Sequence, residues 1–201
     1  EVIFPRVLGL TAGDFLTSST AWPVIAEHTG LLVAFGGIPL KNSAVSAGGT
    51  GEHGTARALR AAKEKGVRFV CISPLRDDMP EWLDAQWLAI EPGTDTALML
   101  ALAWVLREEG LADKMFLARY CIGYDEFSKY LSGEGDGIPK TPEWAAAITG
   151  IAAGEIVAGN LHYLAVFERA DGGRSRLIIY HRHLADDLAG AACADLYQPA
   201  V

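Results

Sequence analysis

A short apolar run that ends at two glycines limits most strongly how this chain can fold. Residues 31–42 read LLVAFGGIPLKN, and the first five of these side chains are apolar. Buried strands of parallel sheets have this continuous apolar composition, and glycine at a strand end lets a ligand approach the backbone. Ligands of open α/β sheets bind beyond the carboxyl ends of the strands, so we expect a binding site at Gly36 and Gly37.

The residues that follow complete a strand, helix, strand pattern. An amphipathic helix is predicted over residues 55–65, and Gly66 is well suited to end it. Residues 67–72 are apolar and rich in β-forming side chains, and this strand ends at Ser73. The order of these elements predicts a right-handed crossover with parallel strands. A third strand is predicted over residues 87–90.

Further helices are predicted after the third strand. Thr94 is placed to cap a helix that has Asp95 in its first turn and an apolar run up to Leu106. That helix is apolar on all sides, which is typical of a helix inside a larger assembly. Shorter helices are predicted near residues 113–121 and 125–131, and another with Thr141 as cap and Pro142 at its first position.

The C-terminal tail, residues 157–201, differs from the preceding residues in its sequence pattern. Residues 161–168 and 176–183 are rich in β-forming side chains and flank an Asp-Gly-Gly turn, so a hairpin is predicted. Residues 184–197 resemble a short amphipathic helix.

Composition and charge exclude several classes of function. The net charge of −8 over 201 residues argues against a general nucleic-acid binder, because phosphate contacts need clustered cations. Four cations do cluster at helical spacing, and a solvated helix face explains them: Arg57, Arg60, Lys63 and Lys65. The longest apolar stretch, residues 97–106, is too short to span a bilayer.

The three cysteines form no CxxC motif, and Cys71 is expected to be a buried small hydrophobe. The chain begins with Glu1 rather than Met, so it could be an excised or processed piece. The compartment, cytoplasmic or periplasmic, is therefore left open.

Two familiar patterns, a GxGxxG sequence and a group of histidines, are only weak indications of a binding site. Gly49, Gly51 and Gly54 fit GxGxxG, but a dinucleotide fingerprint needs these glycines directly after the first strand, and an eleven-residue spacer precedes them here. A flexible loop is the better interpretation than a nicotinamide site. His162, His181 and His183 have no carboxylate or cysteine at metal-ligand spacing, so an exposed strand face is favoured over a metal site.

The three strand ends form a more coherent set of candidate cofactor-binding residues. They are Gly36, Gly37, Pro39, Lys41 and Asn42 after the first strand, Ser73, Pro74 and Arg76 after the second, and Gly93, Thr94 and Asp95 after the third. Glycines admit a phosphate, Lys41 and Arg76 can neutralise it, and a helix that begins at Thr94 offers free N–H groups. Asp95 could accept two N–H bonds from a guanine edge. Three turns plus a helix cap remain the alternative interpretation.

At these residues the sequence resembles a known family. The motifs are AWPVIAEHTGLLVAFGGIPLKN, VCISPLRDD, EPGTDTALMLALAWVL and GEGDGIPKTPEWAAAITGI, in that order. They resemble the molybdopterin-dependent dimethyl sulfoxide reductase family, and within it the biotin sulfoxide and trimethylamine N-oxide reductases. The resemblance covers residues 1–156 and fades beyond them.

The resemblance implies a fold and a domain division. We expect an α/β fold, with a Rossmann-like parallel sheet flanked by helices, extra C-terminal helices and a β-hairpin tail. Residues 1–156 would form a domain that binds molybdopterin guanine dinucleotide, as a fragment of a larger enzyme. Residues 157–201 would form a divergent tail of a hairpin and a short helix.

The resemblance also implies an activity and a cofactor. Members of the family hold molybdenum through two molybdopterin guanine dinucleotides (bis-MGD) and take oxygen from S-oxides or N-oxides such as biotin sulfoxide, dimethyl sulfoxide or trimethylamine N-oxide. The strand-end residues would bind one guanine dinucleotide, with Gly36, Gly37, Pro39, Lys41 and Asn42 at phosphate and ribose. Ser73, Pro74 and Arg76 would continue that wall, and Thr94 and Asp95 would meet the guanosine. Ser73 stands where relatives often have Asp.

Partners follow from the same resemblance: the small-molecule oxide, the remaining domains of the enzyme and an electron-donor protein, with no nucleic acid and no membrane span. The serine that ligates molybdenum in similar enzymes precedes the segment matched at Glu1. This segment therefore contains no catalytic residue and no metal ligand, and we expect it to be inactive alone. A non-catalytic nucleotide-binding or scaffold domain, or less readily an NAD-binding domain, remains the alternative.

Overall fold

The computed structural model describes residues 11, 13–14, 21–43, 53–158 and 176–181, and these form helices around a β-sheet. The strands are β1 (Thr29–Phe35), β2 (Arg68–Ile72), β3 (Gln86–Leu88) and β4 (Arg176–His181). The helices are α1 (Trp22–His28), α2 (Thr55–Glu64), α3 (Asp95–Glu108), α4 (Lys114–Tyr120), α5 (Tyr124–Leu131), α6 (Pro142–Thr149) and α7 (Ala153–Ala158). The predicted α/β fold is confirmed.

The strands follow one another in the order β3-β2-β1-β4. β1 and β4 are parallel, with Leu32 opposite Ile178 and Phe35 opposite His181, and their register shifts between Thr29 and Leu31. β4 confirms a strand at the second β-rich segment of the tail, and it pairs with β1. The hairpin itself stays a prediction. The first arm over residues 161–168 and the helix over residues 184–197 lie outside the described residues.

Backbone contacts divide the chain into two units. The first contains the described residues of Glu1–Cys71, Asp77–Gln86 and Arg176–Leu196. Its core is apolar and comes mainly from α1, β1, α2 and β2, with Ile25, Leu32, Ala34, Leu59, Ala62, Phe69 and Cys71 all buried. α2 buries Leu59 and Ala62, while Thr55 and Ala58 are half-buried. Gly66, at φ +87°, follows α2 as predicted.

The second unit contains the described residues of Ile72–Arg76 and Trp87–Ser175. α3 buries Leu98, Ala101 and Leu102 on one face, and Arg107 near its end donates to the carbonyl oxygen of Ser128 in α5 (2.6 Å). α6 begins as predicted, because the Thr141 hydroxyl accepts a hydrogen bond from the Trp144 N–H (3.3 Å). Among the described helices, none combines the length and apolarity that crossing a bilayer requires.

Candidate functional site

In the first unit, the chain turns sharply at the carboxyl end of β1. Gly36 and Gly37 have φ angles of +82° and +74°, which glycine adopts without steric cost. Pro39 is buried, and the 3-10 turn Leu40–Asn42 follows, with the Asn42 N–H donating to the Pro39 carbonyl oxygen (3.0 Å). The side chains of Lys41 and Asn42 are exposed. The segment therefore presents a cation and an amide to solvent, while buried Gly37 and Pro39 shape it from inside.

Gly37 lies against Asp78, the last residue of the 3-10 turn Arg76–Asp78. A Cβ atom on Gly37 would lie 2.6 Å from the Cβ of Asp78 and closer still to its carbonyl oxygen. Asp78 is buried, with 3% of its surface exposed. Glycine is required here for space as well as for backbone conformation.

Cys71 is an inert thiol. It is buried, as predicted from its apolar surroundings. Burial, and to a lesser extent the negative charge of Asp78, raises the pKa of this thiol to about 12. Since the thiolate is the reactive form of cysteine, Cys71 is not a nucleophile at neutral pH.

Two cations of the predicted solvated face also contact the turn after β2: Arg60 is exposed and Lys63 is half-buried. Lys63 donates to the Trp82 carbonyl oxygen (2.5 Å) and forms an ion pair with Asp84. The guanidinium carbon of Arg60 lies 4.4 Å from the centre of the Trp82 ring, a cation–π contact. These cations hold the turn Glu81–Leu83 against α2.

In the second unit, Ser73 directly follows β2 and is fully buried. It takes part in three hydrogen bonds that fix the turn at this end of the strand. Its N–H donates to the Leu88 carbonyl oxygen (3.2 Å), and its hydroxyl accepts from the Leu75 N–H (3.3 Å). Its carbonyl oxygen accepts from the Trp87 indole N–H (2.8 Å). Ser73 therefore shapes the turn from inside, and the exposed residues after it are Pro74, Leu75 and Arg76.

The turn before α3 differs in one detail from the prediction. Gly93 has φ +79°, and Thr94 occupies the cap position. However, the Thr94 hydroxyl donates to the Glu91 carbonyl oxygen (2.7 Å) and does not accept a hydrogen bond from the helix. The prediction of a side-chain cap is wrong, because the turn offers this hydroxyl an acceptor three residues back. Asp95, the first residue of α3, is half-exposed.

The second unit contains a buried lysine, Lys140, that no sequence pattern indicated. The Lys140 ammonium bonds to the Asp136 carboxylate (2.6 Å) and the Ile138 carbonyl oxygen, and lies over the rings of Tyr130 (4.4 Å) and Trp144 (5.3 Å). The hydrogen bond from Lys140, and to a lesser extent the one from the Ile138 N–H, lowers the pKa of Asp136. The arrangement is a structural clasp.

The weaker sequence patterns gain no support. Gly54 is the residue before α2, while Gly49, Gly51, His162 and His183 lie outside the described residues. No group of three or more His, Cys, Asp or Glu side chains that could hold a metal ion occurs in the described part of the chain.

The predicted cofactor-binding residues fall into two groups, one in each unit. The first unit contains Gly36, Gly37, Pro39, Lys41 and Asn42, and the second contains Ser73, Pro74, Arg76, Gly93, Thr94 and Asp95. Exposed Lys41 and Arg76 match phosphate, and the Asp95 carboxylate matches the N–H donors of guanine.

Comparison with known proteins identifies the class. The sequence profile of the molybdopterin oxidoreductase family matches residues 12–192, and the chain belongs to this family. Its α/β fold is the one predicted from the sequence.

Similar proteins include sulfoxide and N-oxide reductases. The chain is 48% identical over 162 residues to "Biotin sulfoxide reductase" of Cereibacter sphaeroides, covering 78% of this chain and 22% of that protein. It is 40% identical over 156 residues to "Dimethyl sulfoxide/trimethylamine N-oxide reductase" of the same organism, covering 78% and 19%. It is 36% identical over 153 residues to "Trimethylamine-N-oxide reductase" of Haemophilus influenzae, covering 76% and 18%. The chain thus spans about a fifth of these relatives.

Proposed function

We propose that this chain binds the guanine dinucleotide part of molybdopterin guanine dinucleotide, within an enzyme that reduces S-oxides or N-oxides. The observation that carries the proposal is Asp95, a half-exposed carboxylate at the first turn of a fourteen-residue helix, directly after the left-handed turn at Gly93. The names of the relatives support the type of substrate: biotin sulfoxide, dimethyl sulfoxide and trimethylamine N-oxide.

The second unit would recognise the guanosine. The Asp95 carboxylate would accept hydrogen bonds from the ring N–H and the amino group of guanine, a pair of donors that adenine does not present in this arrangement. Thr94 and Gly93 would shape the approach to α3, whose N-terminal N–H groups favour negative ligands. Arg76, exposed after the Ser73 turn, would neutralise phosphate, and Pro74 would border it.

The group after β1, in the first unit, has the chemistry to bind phosphate and ribose. Half-buried Gly36 would let phosphate oxygens approach the backbone, and Gly37, buried against Asp78, would fix the turn that presents the phosphate site. Exposed Lys41 supplies a positive charge. Asn42 would hydrogen-bond to ribose, while buried Pro39 would hold the turn.

The cofactor, when bound, would supply oxygen-atom transfer at molybdenum, and we propose that it is the bis-MGD form. The part assigned to this chain is binding, with no catalytic residue and no molybdenum ligand. The remaining domains of the enzyme and an electron donor would complete the reaction.

Calorimetric titration with GDP tests the binding role. Asp95→Ala should weaken GDP binding by about tenfold to a hundredfold, because two hydrogen bonds to a charged group are lost. Asp125→Ala is the matched control, since Asp125 also lies in the first turn of a helix, α5, in the same unit. Saturable GDP binding that Asp95→Ala leaves unchanged would remove Asp95 from the site. No GDP binding at all would favour a scaffold domain.

Assay of the full-length gene product tests the activity. We expect it to contain molybdenum and to reduce biotin sulfoxide or trimethylamine N-oxide. A product that contains no molybdenum and reduces neither oxide would contradict the assignment.

A further inference from the structure

Two large apolar side chains are exposed where the chain leaves β2. Leu75 is 61% exposed and Trp87 is 37% exposed, and both belong to the second unit. Each is tied to Ser73, Leu75 through its backbone N–H and Trp87 through its indole. Large apolar side chains grouped at a surface are typical of binding sites.

The Trp87 ring is held in a fixed orientation by its hydrogen bond. Its indole N–H donates to the Ser73 carbonyl oxygen at 2.8 Å, so its one polar group is satisfied within the turn. The exposed part of the side chain is therefore aromatic carbon surface that can pack against another ring at little further cost in side-chain entropy.

The proposed function leaves one part of the nucleotide without a partner. Asp95 would contact the edge of guanine, and Arg76 would contact phosphate, but the flat faces of the base need apolar contact. Arg76 directly follows Leu75 in the chain, so a phosphate-binding group adjoins the exposed apolar pair.

We propose that Trp87 and Leu75 form the apolar wall on which the purine base of the guanine nucleotide packs. This inference rests on the proposed function. Aromatic side chains that stack on a base contribute about tenfold to a hundredfold in affinity. The Ser73 carbonyl, by holding the indole, sets the position of this wall.

Titration with GDP and with inorganic pyrophosphate, which lacks a base, tests whether Trp87 and Leu75 contact the purine base. Trp87→Ala should weaken GDP binding by about tenfold or more and leave pyrophosphate binding unchanged. Trp87→Phe keeps a ring but loses the N–H, so it should retain most of the GDP affinity. Leu75→Ala should weaken GDP binding by severalfold. Ile122→Ala, a fully exposed apolar residue of the same unit, is the control and should bind both ligands like the parent.

The outcomes separate this inference from the proposed function. GDP binding that is unchanged in both Trp87→Ala and Leu75→Ala would overturn the wall and leave the nucleotide site standing. An equal loss of pyrophosphate and GDP binding would also overturn it, because the residues would then only shape the turn. If the parent bound no GDP, both proposals would fall. Should Trp87→Ala not fold, the Leu75→Ala result decides.

Discussion

Gly37, at the end of β1, packs so closely against Asp78 that no side chain fits between them. A Cβ atom on Gly37 would lie 2.6 Å from the Asp78 Cβ, well inside van der Waals contact, and the φ angle of Gly37 is +74°. The predicted phosphate-binding turn after β1 is thus fixed by a residue from the segment after β2, within one unit.

Gly37→Ala should lower the free energy of unfolding by about 3 kcal/mol. About 1–2 kcal/mol comes from a left-handed backbone and the rest from overpacking against Asp78. Gly66→Ala is the control, since Gly66 has φ +87° with no atom near its added Cβ, and it should cost only the backbone part of about 1–2 kcal/mol. Urea denaturation of both variants measures the difference. Equal costs would show that Asp78 yields without penalty.

Replacing threonine with valine should affect stability differently at Thr29 and at Thr149. Among the described residues, the Thr29 hydroxyl is buried without a hydrogen-bond partner. The Thr149 hydroxyl, also buried, donates to the Ala145 carbonyl oxygen (2.8 Å) and accepts from the Ile151 N–H (3.3 Å). Thr29→Val should be neutral or stabilise by up to about 1 kcal/mol, and Thr149→Val should destabilise by about 1–2 kcal/mol. Thermal and urea unfolding test both, and a loss at Thr29 as large as that at Thr149 would contradict the assignment.

The ion pair between Lys140 and Asp136 should make the free energy of unfolding depend on pH. The pKa of Asp136 is lowered in the folded chain, so on acidification the unfolded chain takes up this proton first. The stabilisation is therefore fully present above the ordinary carboxyl pKa of about 3.9 and is lost as pH falls through the lower folded pKa.

Asp136→Asn should accordingly destabilise most at neutral pH, with a difference from the parent that shrinks below a pH of about 4. Urea midpoints at pH 7 and pH 3 provide the measurement. Glu134→Gln, an exposed carboxylate of the same segment, should shift stability by less than about 0.5 kcal/mol at either pH. A pH-independent effect of Asp136→Asn would mean that its charge does not stabilise the fold.

Local patterns predicted the elements well. The apolar run of β1, the stop at Gly66 and the Thr141 cap each depend on a few adjacent residues, and each is present. The exception among local features is Thr94, whose hydroxyl found a carbonyl acceptor in the preceding turn rather than a helix N–H.

Contacts between distant residues were not predictable in this way. The indole bond from Trp87 to Ser73 joins residues 14 apart, and Lys63 reaches Asp84 across 21 residues. Lysine is usually exposed, yet Lys140 is buried because two rings and a carboxylate converge on it. Such partners are set by how the elements pack, and a single sequence carries no periodic signal for them.

Discrimination between GDP and ADP tests the central claim most directly. If Asp95 recognises the guanine edge, calorimetry of the chain should show saturable GDP binding and at least about tenfold weaker ADP binding. Adenine has an amino group but no ring N–H beside it, so it cannot donate two hydrogen bonds to one carboxylate. Equal affinity for the two nucleotides, or binding of neither, would contradict the assignment of these strand ends to a guanine dinucleotide.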